Sequence, residues 1–454
     1  MAHLSNDNSL QVQITNRQIF KLALPISFAI LIPQLNFITN NIFLGHYPDH
    51  GQSLAIAGVT GVYYLIFAAI GFGLNNGLQA LIARRAGENR PSEIGKLFNQ
   101  GVFIAICVAI VGIAVTYLFV PSVFKYFISD EVRLQKAVHF LKIRIWGLPF
   151  LYIYQMRNAL LVGTNQSKYL VAGTLAETIS NVFFDYVLIF GNWGFPALGF
   201  NGAAYASIIA EFLGMLVVFL VIHFKGIGKR FELFHHFTWD KTNLVSILNM
   251  SAPLIFQHAI SIMSWEYFFL SIDSHGETAL AVSNTMRNVF GLFGAVSWAF
   301  AATSSTMVSN IIGQGRQNEV WSLMGKLVKI NITIALAAAI LLNLFPQVFL
   351  SIYGQPASFM ETALPVIRVV SIAMIMMSVS VIFINAVTGS GNSRVSLYIE
   401  AGTIVFYCTY VYLVMQKYFL SLTIGWMSEW LYWICMFTPA FFYMRSGKWK
   451  NKKI

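Results

Sequence analysis

The chain is short of charge, of cysteine and of every common catalytic signature. Of its 454 residues only 10% are Asp, Glu, Lys or Arg, against 57% hydrophobic. With a mean hydropathy of +0.66, that composition excludes an ordinary soluble enzyme. The three cysteines, Cys107, Cys408 and Cys435, all sit in apolar stretches, so neither a disulfide framework nor a metal site is indicated and they read as small core residues. There is no G-x-x-x-x-G-K-[ST] phosphate cradle, which leaves ATP out as an energy source within this chain and implies no ATPase subunit. H-E-x-x-H, C-x-x-C and a nucleophile elbow are also missing, so no enzyme activity, cofactor or metal is expected. His235 and His236 fall in a polar connection and read as solvated loop.

What the chain has in abundance is apolar runs. A membrane-crossing helix needs about 20 mainly apolar residues, and twelve such runs follow one another at 19–45, 54–83, 96–120, 138–162, 168–191, 200–224, 245–273, 278–310, 326–350, 362–388, 395–417 and 421–444. The first sixteen residues are polar. The run after them is too long, and carries Pro25 and Pro33, for a cleavable signal, so it is expected to be the first span. The fold class expected is an all-α polytopic membrane protein.

The net charge of +11 would suggest nucleic acid if it were gathered on one soluble face. Instead the basic residues alternate in density along the connections. Arg17, Lys21, Arg84, Arg85, Arg90, Lys96, Lys168, Lys225, Lys229, Arg230, Lys241, Arg316, Arg394 and the tail from Arg445 to Lys453 share one side; the other has little beyond Lys125, Arg133, Lys136 and Lys417. The positive-inside rule makes the first side cytoplasmic, with both termini there and the protein in the cytoplasmic (inner) membrane.

The second half repeats the first at an offset of 226 residues. GENRPSE (Gly87 to Glu93) matches GQGRQNE (Gly313 to Glu319), and NALLVGTNQSK (Asn158 to Lys168) matches INAVTGSGNSR (Ile384 to Arg394). An even number of spans lies within the offset, so the halves enter the membrane in the same orientation. Two pseudo-symmetric six-helix lobes around a central cavity are expected: 1–224, a cytoplasmic connection at 225–244, and 245–454 with a short basic tail.

In the stretch ETISNVFFDYVLIFG, Glu177, Asn181 and Asp185 are spaced i, i+4, i+8 and form one polar stripe on a helix. An acid inside a span must face protein or water, and is by default a candidate for an ion site or proton relay. The alternative is that it neutralises a buried base such as Arg157. Glu211, Glu266 and Glu400 are further intramembrane acids, and Arg144, Arg157, Arg287 and Arg368 are intramembrane bases; ion pairs among them are expected. The first two spans are rich in amides, and Asn36, Tyr63, Asn76 and Gln79, with Glu266, are candidates for a polar substrate cavity. Interhelical hydrogen bonding, at about 0.6 kcal/mol each, is the alternative. The run AMIMM (Ala373 to Met377) fits either an adaptable wall or plain core contact.

Several blocks together resemble the multidrug and toxic compound extrusion family: LALPIS (Leu22 to Ser27), NNIFLG (Asn40 to Gly45), ARRAGE (Ala83 to Glu88) with its echo SNIIGQG (Ser309 to Gly315), GSGNSR (Gly389 to Arg394), and SNVFFDYVLIFG followed by LGFNGAAYAS (Leu198 to Ser207). The resemblance covers nearly the whole chain. It implies a twelve-helix antiporter that exports amphipathic or cationic organic compounds against inward H+ or Na+, as a monomer. It also implies a coupling site on the fifth span at Asn181 and Asp185, with Asn40 where the family has a first-span Asp, and Glu177 as a relay. The acidic positions that other members use in the seventh and tenth spans fall on Ser261 and Met377. A lipid-linked precursor flippase of the same superfamily is the alternative, which would show a strongly cationic cavity.

Overall fold

The computed structural model describes residues 10–45, 50–128, 130–234, 239–351 and 357–452; the side chains of Asn36 and Asn40, and His235 and His236 altogether, lie outside the described residues. Among the described residues there is helix and turn but no strand. Among the described residues, eight helices are long and apolar enough to cross a membrane.

In the first half of the sequence the long elements are α1 (Asn16–Gly45), α2 (His50–Gly87), α3 (Pro91–Phe127), the pair α4 (Glu131–Arg144) and α5 (Leu148–Gly163), α6 (Leu170–Phe190) and α7 (Phe200–Phe224). The short α8 (Ile227–Arg230) follows. The second half repeats the plan with α9 (Lys241–Asp273), α10 (Glu277–Gly313), α11 (Val320–Leu344), short α12 (Pro346–Ser351), α13 (Ala357–Gly389), α14 (Ser393–Val411), and the pair α15 (Leu422–Trp426) and α16 (Ser428–Ser446). Each half thus carries six long helical segments. The fourth segment, expected unbroken over 138–162, begins earlier and is interrupted by a 3-10 turn at Ile145–Gly147, with a proline at the start of α5. A proline is tolerated in a first helical turn, where its missing N–H is not needed.

The internal repeat is written into the turns. A helix that stops needs a left-handed residue and a hydrogen bond back across the last turn. Asn89, Asn165, Gly315 and Gly391 all have positive φ. The bonds closing these turns are Arg90 N to Arg85 O (3.0 Å), Gln166 N to Leu161 O (2.7 Å), Arg316 N to Ile311 O (3.1 Å) and Asn392 N to Val387 O (3.3 Å). The last two sets stand 226 residues after the first two. Arg90 pairs with Glu93, and Arg316 with Glu319, at the same offset. Gly163 and Gly389 are likewise equivalent. A methyl group at Gly163 would meet the Gln79 carbonyl on α2 at 3.1 Å, and one at Gly389 would overlap the Ser305 carbonyl on α10. The missing side chain lets each helix pair approach closely.

The chain forms two compact units. One comprises Phe28–Arg85 and Arg90–Ser251; the other comprises the described part of Met1–Ser27, Ala86–Asn89 and Ala252–Ile454. The amino-terminal segment joins the second of these through side-chain clamps on its backbone. Asn310 Nδ2 donates to Leu10 O (2.9 Å), Val12 N donates to Asn310 Oδ1 (3.0 Å), and Gln314 Nε2 donates to Val12 O (2.9 Å). In the same unit, Met374 and Met377 from the methionine run belong to the apolar core.

Candidate functional site

Helix α6 has two unlike faces. Leu175, Ile179, Phe183 and Tyr186 are exposed, suited to lipid, while Gly173, Thr174, Asn181 and Asp185 are buried. The helix packs along α7. The polar stripe read from the sequence therefore faces protein, as the cost of placing a carboxylate in hydrocarbon requires. The helix ends on Gly191, whose left-handed backbone (φ 74°) and N–H to Val187 O (3.0 Å) close its last turn.

Asp185 is 0% exposed. Both of its carboxylate oxygens are buried and neither has a hydrogen-bond partner among the described residues. Asn181, one turn earlier, is also buried. Glu177, a further turn back, is half-buried and lies over Gly214 on α7, where a Cβ would meet its own Cβ at 2.9 Å. Asn40 lies on α1, but its side chain is outside the described residues, as is that of Asn36.

Within the same unit a second buried acid is treated oppositely. Arg144, at the break between α4 and α5, grips Glu211 on α7 with two hydrogen bonds, Nη1 to Oε2 at 2.9 Å and Nη2 to Oε1 at 2.6 Å. Tyr64 on α2 donates to Glu211 Oε1 (3.1 Å) and offers its ring face to the guanidinium, 3.8 Å from the centroid. A planar, two-pronged pairing of this kind is the strong form of the arginine–carboxylate contact. Gly147 is required beside it, because a methyl group there would overlap both Glu211 Oε2 and Arg144 Nη1.

Of the remaining intramembrane bases, Arg368 is exposed, and Arg157 and Arg287 have partners within their own units. Arg157 donates through Nη1 to the Met215 carbonyl and stacks over Phe219; among the described residues it forms no ion pair with Asp185 or Glu177. Arg287 pairs with Glu266 (3.0 Å) and lies over the rings of Trp265 and Phe269. Of the cavity candidates, Tyr63 shares a hydrogen bond with Thr116 Oγ1 (2.8 Å) and packs edge-on to Phe67 and Phe124. Asn76 accepts from Asn75 Nδ2 (3.1 Å), and Gln79 is buried. Sequence reasoning named Arg144 and Glu211 as charged intramembrane residues but had no means to join them, and it passed over Tyr64 as their third member. No group of three or more potential metal ligands occurs among the described residues.

Comparison with known proteins follows the same lines. The family model MatE matches twice, over residues 25–187 and 253–413, once in each half. A relative from Thermotoga maritima named as a probable multidrug resistance protein NorM is 23% identical over 98% of this chain and 95% of its own length. A protein of the same name from Synechocystis is 24% identical over 75% of this chain and 74% of its own. Among solved structures, a MOP superfamily transporter from Pyrococcus furiosus superposes over 100% of both chains with a TM-score of 0.88 at 14% identity. An outward-facing MATE family transporter superposes over 97% of this chain and 98% of its own with a TM-score of 0.87 at 15% identity. The structures share the fold; the double match, covering well over half of the sequence, shows that this chain belongs to the MatE family.

Proposed function

We propose that the protein is a secondary active exporter of amphipathic or cationic organic compounds, driven by antiport with a monovalent cation, H+ or Na+, with Asp185 as the coupling carboxylate. The observation that carries this reading is the pair of Asp185 oxygens, buried and unpartnered among the described residues. A buried carboxylate lacking a countercharge is costly as an anion. A proton or metal cation relieves that cost, so occupancy by the cation changes which arrangement of the surrounding helices is favoured. Asn181 stands beside it as a neutral oxygen ligand, Asn40 as a further amide and Glu177 as a relay along α6. A lone carboxylate favours the proton.

The relatives named as multidrug resistance proteins support the substrate class, and the repeated six-helix plan supports alternating access by rocking of two lobes. The flippase alternative asks for a free cationic cavity; of the four bases that would supply it, Arg144, Arg157 and Arg287 are bound to Glu211, the Met215 carbonyl and Glu266, while Arg368 is exposed. The proposal extends to a monomer in the cytoplasmic membrane with both termini in the cytoplasm, working without a cofactor.

The test is dye or drug efflux from proteoliposomes carrying an imposed proton or sodium gradient. Asp185→Asn is expected to abolish gradient-driven efflux, while the yield of folded protein stays near that of wild type. Efflux by that variant equal to wild type removes Asp185 from the mechanism; wild-type efflux that responds to neither gradient removes antiport.

A further inference from the structure

The second unit buries two acids that have no basic partner. Glu400 on α14 is 2% exposed and Glu429 on α16 is 5% exposed, and neither forms a salt bridge among the described residues. Neutral groups surround them instead. Tyr432 on α16 donates to Glu400 Oε1 (2.5 Å), and Gln257 on α9 donates through Nε2 to Glu400 Oε2 (3.2 Å). Ser261 on α9 shares a hydrogen bond with the same Tyr432 hydroxyl (3.3 Å). Tyr407 on α14 donates to Glu429 Oε1 at the long distance of 3.5 Å, and its ring packs edge-on to Tyr432 at 5.7 Å. The two acids thus sit in neighbouring clusters that meet at this ring contact.

Three further polar atoms in these clusters are unfilled. Thr403, one turn along α14 from Glu400 and one turn before Tyr407, is 2% exposed, and its hydroxyl has no partner among the described residues. Trp433, next to Tyr432, is 8% exposed, and its indole N–H has no partner among the described residues. Gln257 Oε1 is buried and unpartnered while the Nε2 of the same amide is engaged. That amide suits both states of Glu400: its N–H serves the carboxylate, and after a flip its carbonyl accepts from the carboxylic acid.

Among the described residues no charged group on the neighbouring elements forms a salt bridge with either acid. Arg287 on α10 is held by Glu266, Arg368 and Glu361 on α13 are exposed, and Lys417 after α14 is exposed over Tyr418. His258 on α9 makes its Nδ1 contact with the Leu254 carbonyl (2.7 Å). With no countercharge, each acid is stable in a low-dielectric core chiefly when neutral.

We infer that Glu400 and Glu429, each bonded to a tyrosine hydroxyl and brought together where the two tyrosine rings pack, form a proton-binding centre in the second unit that loads and releases a proton reversibly. Nothing in this inference depends on Asp185 being the coupling residue. The family's customary acidic positions fall here on Ser261 and Met377; Ser261 reaches Glu400 through the Tyr432 hydroxyl, so the acids stand on different helices, α14 and α16.

The test is pH-difference infrared spectroscopy of the purified full-length protein in lipid, reading the carboxylic acid C=O stretch. Wild type is expected to show pH-dependent carboxylic acid bands. Glu400→Gln and Glu429→Gln should each remove one of them, and Asp185→Asn should leave those two in place. Tyr432→Phe keeps the packing ring and is expected to shift the Glu400 band without removing it. Spectra of both Gln variants identical to wild type would overturn the inference. So would bands in wild type that respond to sodium at constant pH but not to pH, since that result assigns the centre to a metal cation. The wild-type spectra alone decide the second point even if a variant fails to fold. Loss of efflux in Asp185→Asn with these bands retained separates the two proposals.

Discussion

Glu211 and Asp185 are both buried acids in the same unit, on adjacent packed helices, and their surroundings differ in one respect. Glu211 has a guanidinium on both oxygens and a tyrosine hydroxyl on one of them. Asp185 has no partner on either among the described residues. The pairing holds Glu211 against Arg144, and breaking it would strand a guanidinium in the core. An unpaired carboxylate costs most as an anion and gains most from taking up a cation. The first arrangement fixes the break in the fourth segment against α7; the second is suited to a charge that comes and goes. The same contrast recurs in the other unit, where Glu266 is held by Arg287 while Glu400 and Glu429 have only neutral donors.

This contrast can be broken from its strong side first. Arg144→Ala leaves Glu211 buried without its countercharge and is expected to cost about 3–5 kcal/mol, seen as loss of monodisperse protein on size-exclusion chromatography after mild heating. Survival of that variant at wild-type temperatures would mean that the Arg144–Glu211 pair does not hold the fold. Gly147→Ala forces a methyl group into the same pair and should cost up to about 3 kcal/mol through displacement of well-packed groups, with Gly147→Ser no better. Tyr64→Phe removes one donor to a charged acceptor but keeps the ring beneath the guanidinium; a loss of about 1.5 kcal/mol is expected in thermal unfolding. Asp185→Asn, by contrast, removes a carboxylate that has no hydrogen-bond partner among the described residues, and its stability should lie within about 1 kcal/mol of wild type. A large loss of stability in Asp185→Asn would show that its partner is structural, and the distinction between the two acids would fail.

Much of the turn and helix framework was legible. GENRPSE and GQGRQNE carry their own stop signals, because a left-handed residue is needed at a fixed position and Asn or Gly supplies it; the structure places Asn89 and Gly315 there. The α6 stripe was legible for a similar reason, since residues four apart share a helix face without help from the rest of the chain. The interruption at Ile145–Gly147 was not. What the glycine of that stretch accommodates is a side-chain pair supplied partly by Glu211, 64 positions later.

The order of residues by itself determined that this is a polytopic helical membrane protein, that its second half repeats its first, and that Glu177, Asn181 and Asp185 share one helix face. These follow from hydrophobic content, helical periodicity and turn chemistry, all of which act over a few residues. Only the tertiary structure decided which buried acids are neutralised and which are left open. Arg144 meets Glu211 across 67 positions and Gln257 meets Glu400 across 143, and in a medium that does not solvate charge the state of an acid is set by whatever group the fold brings against it.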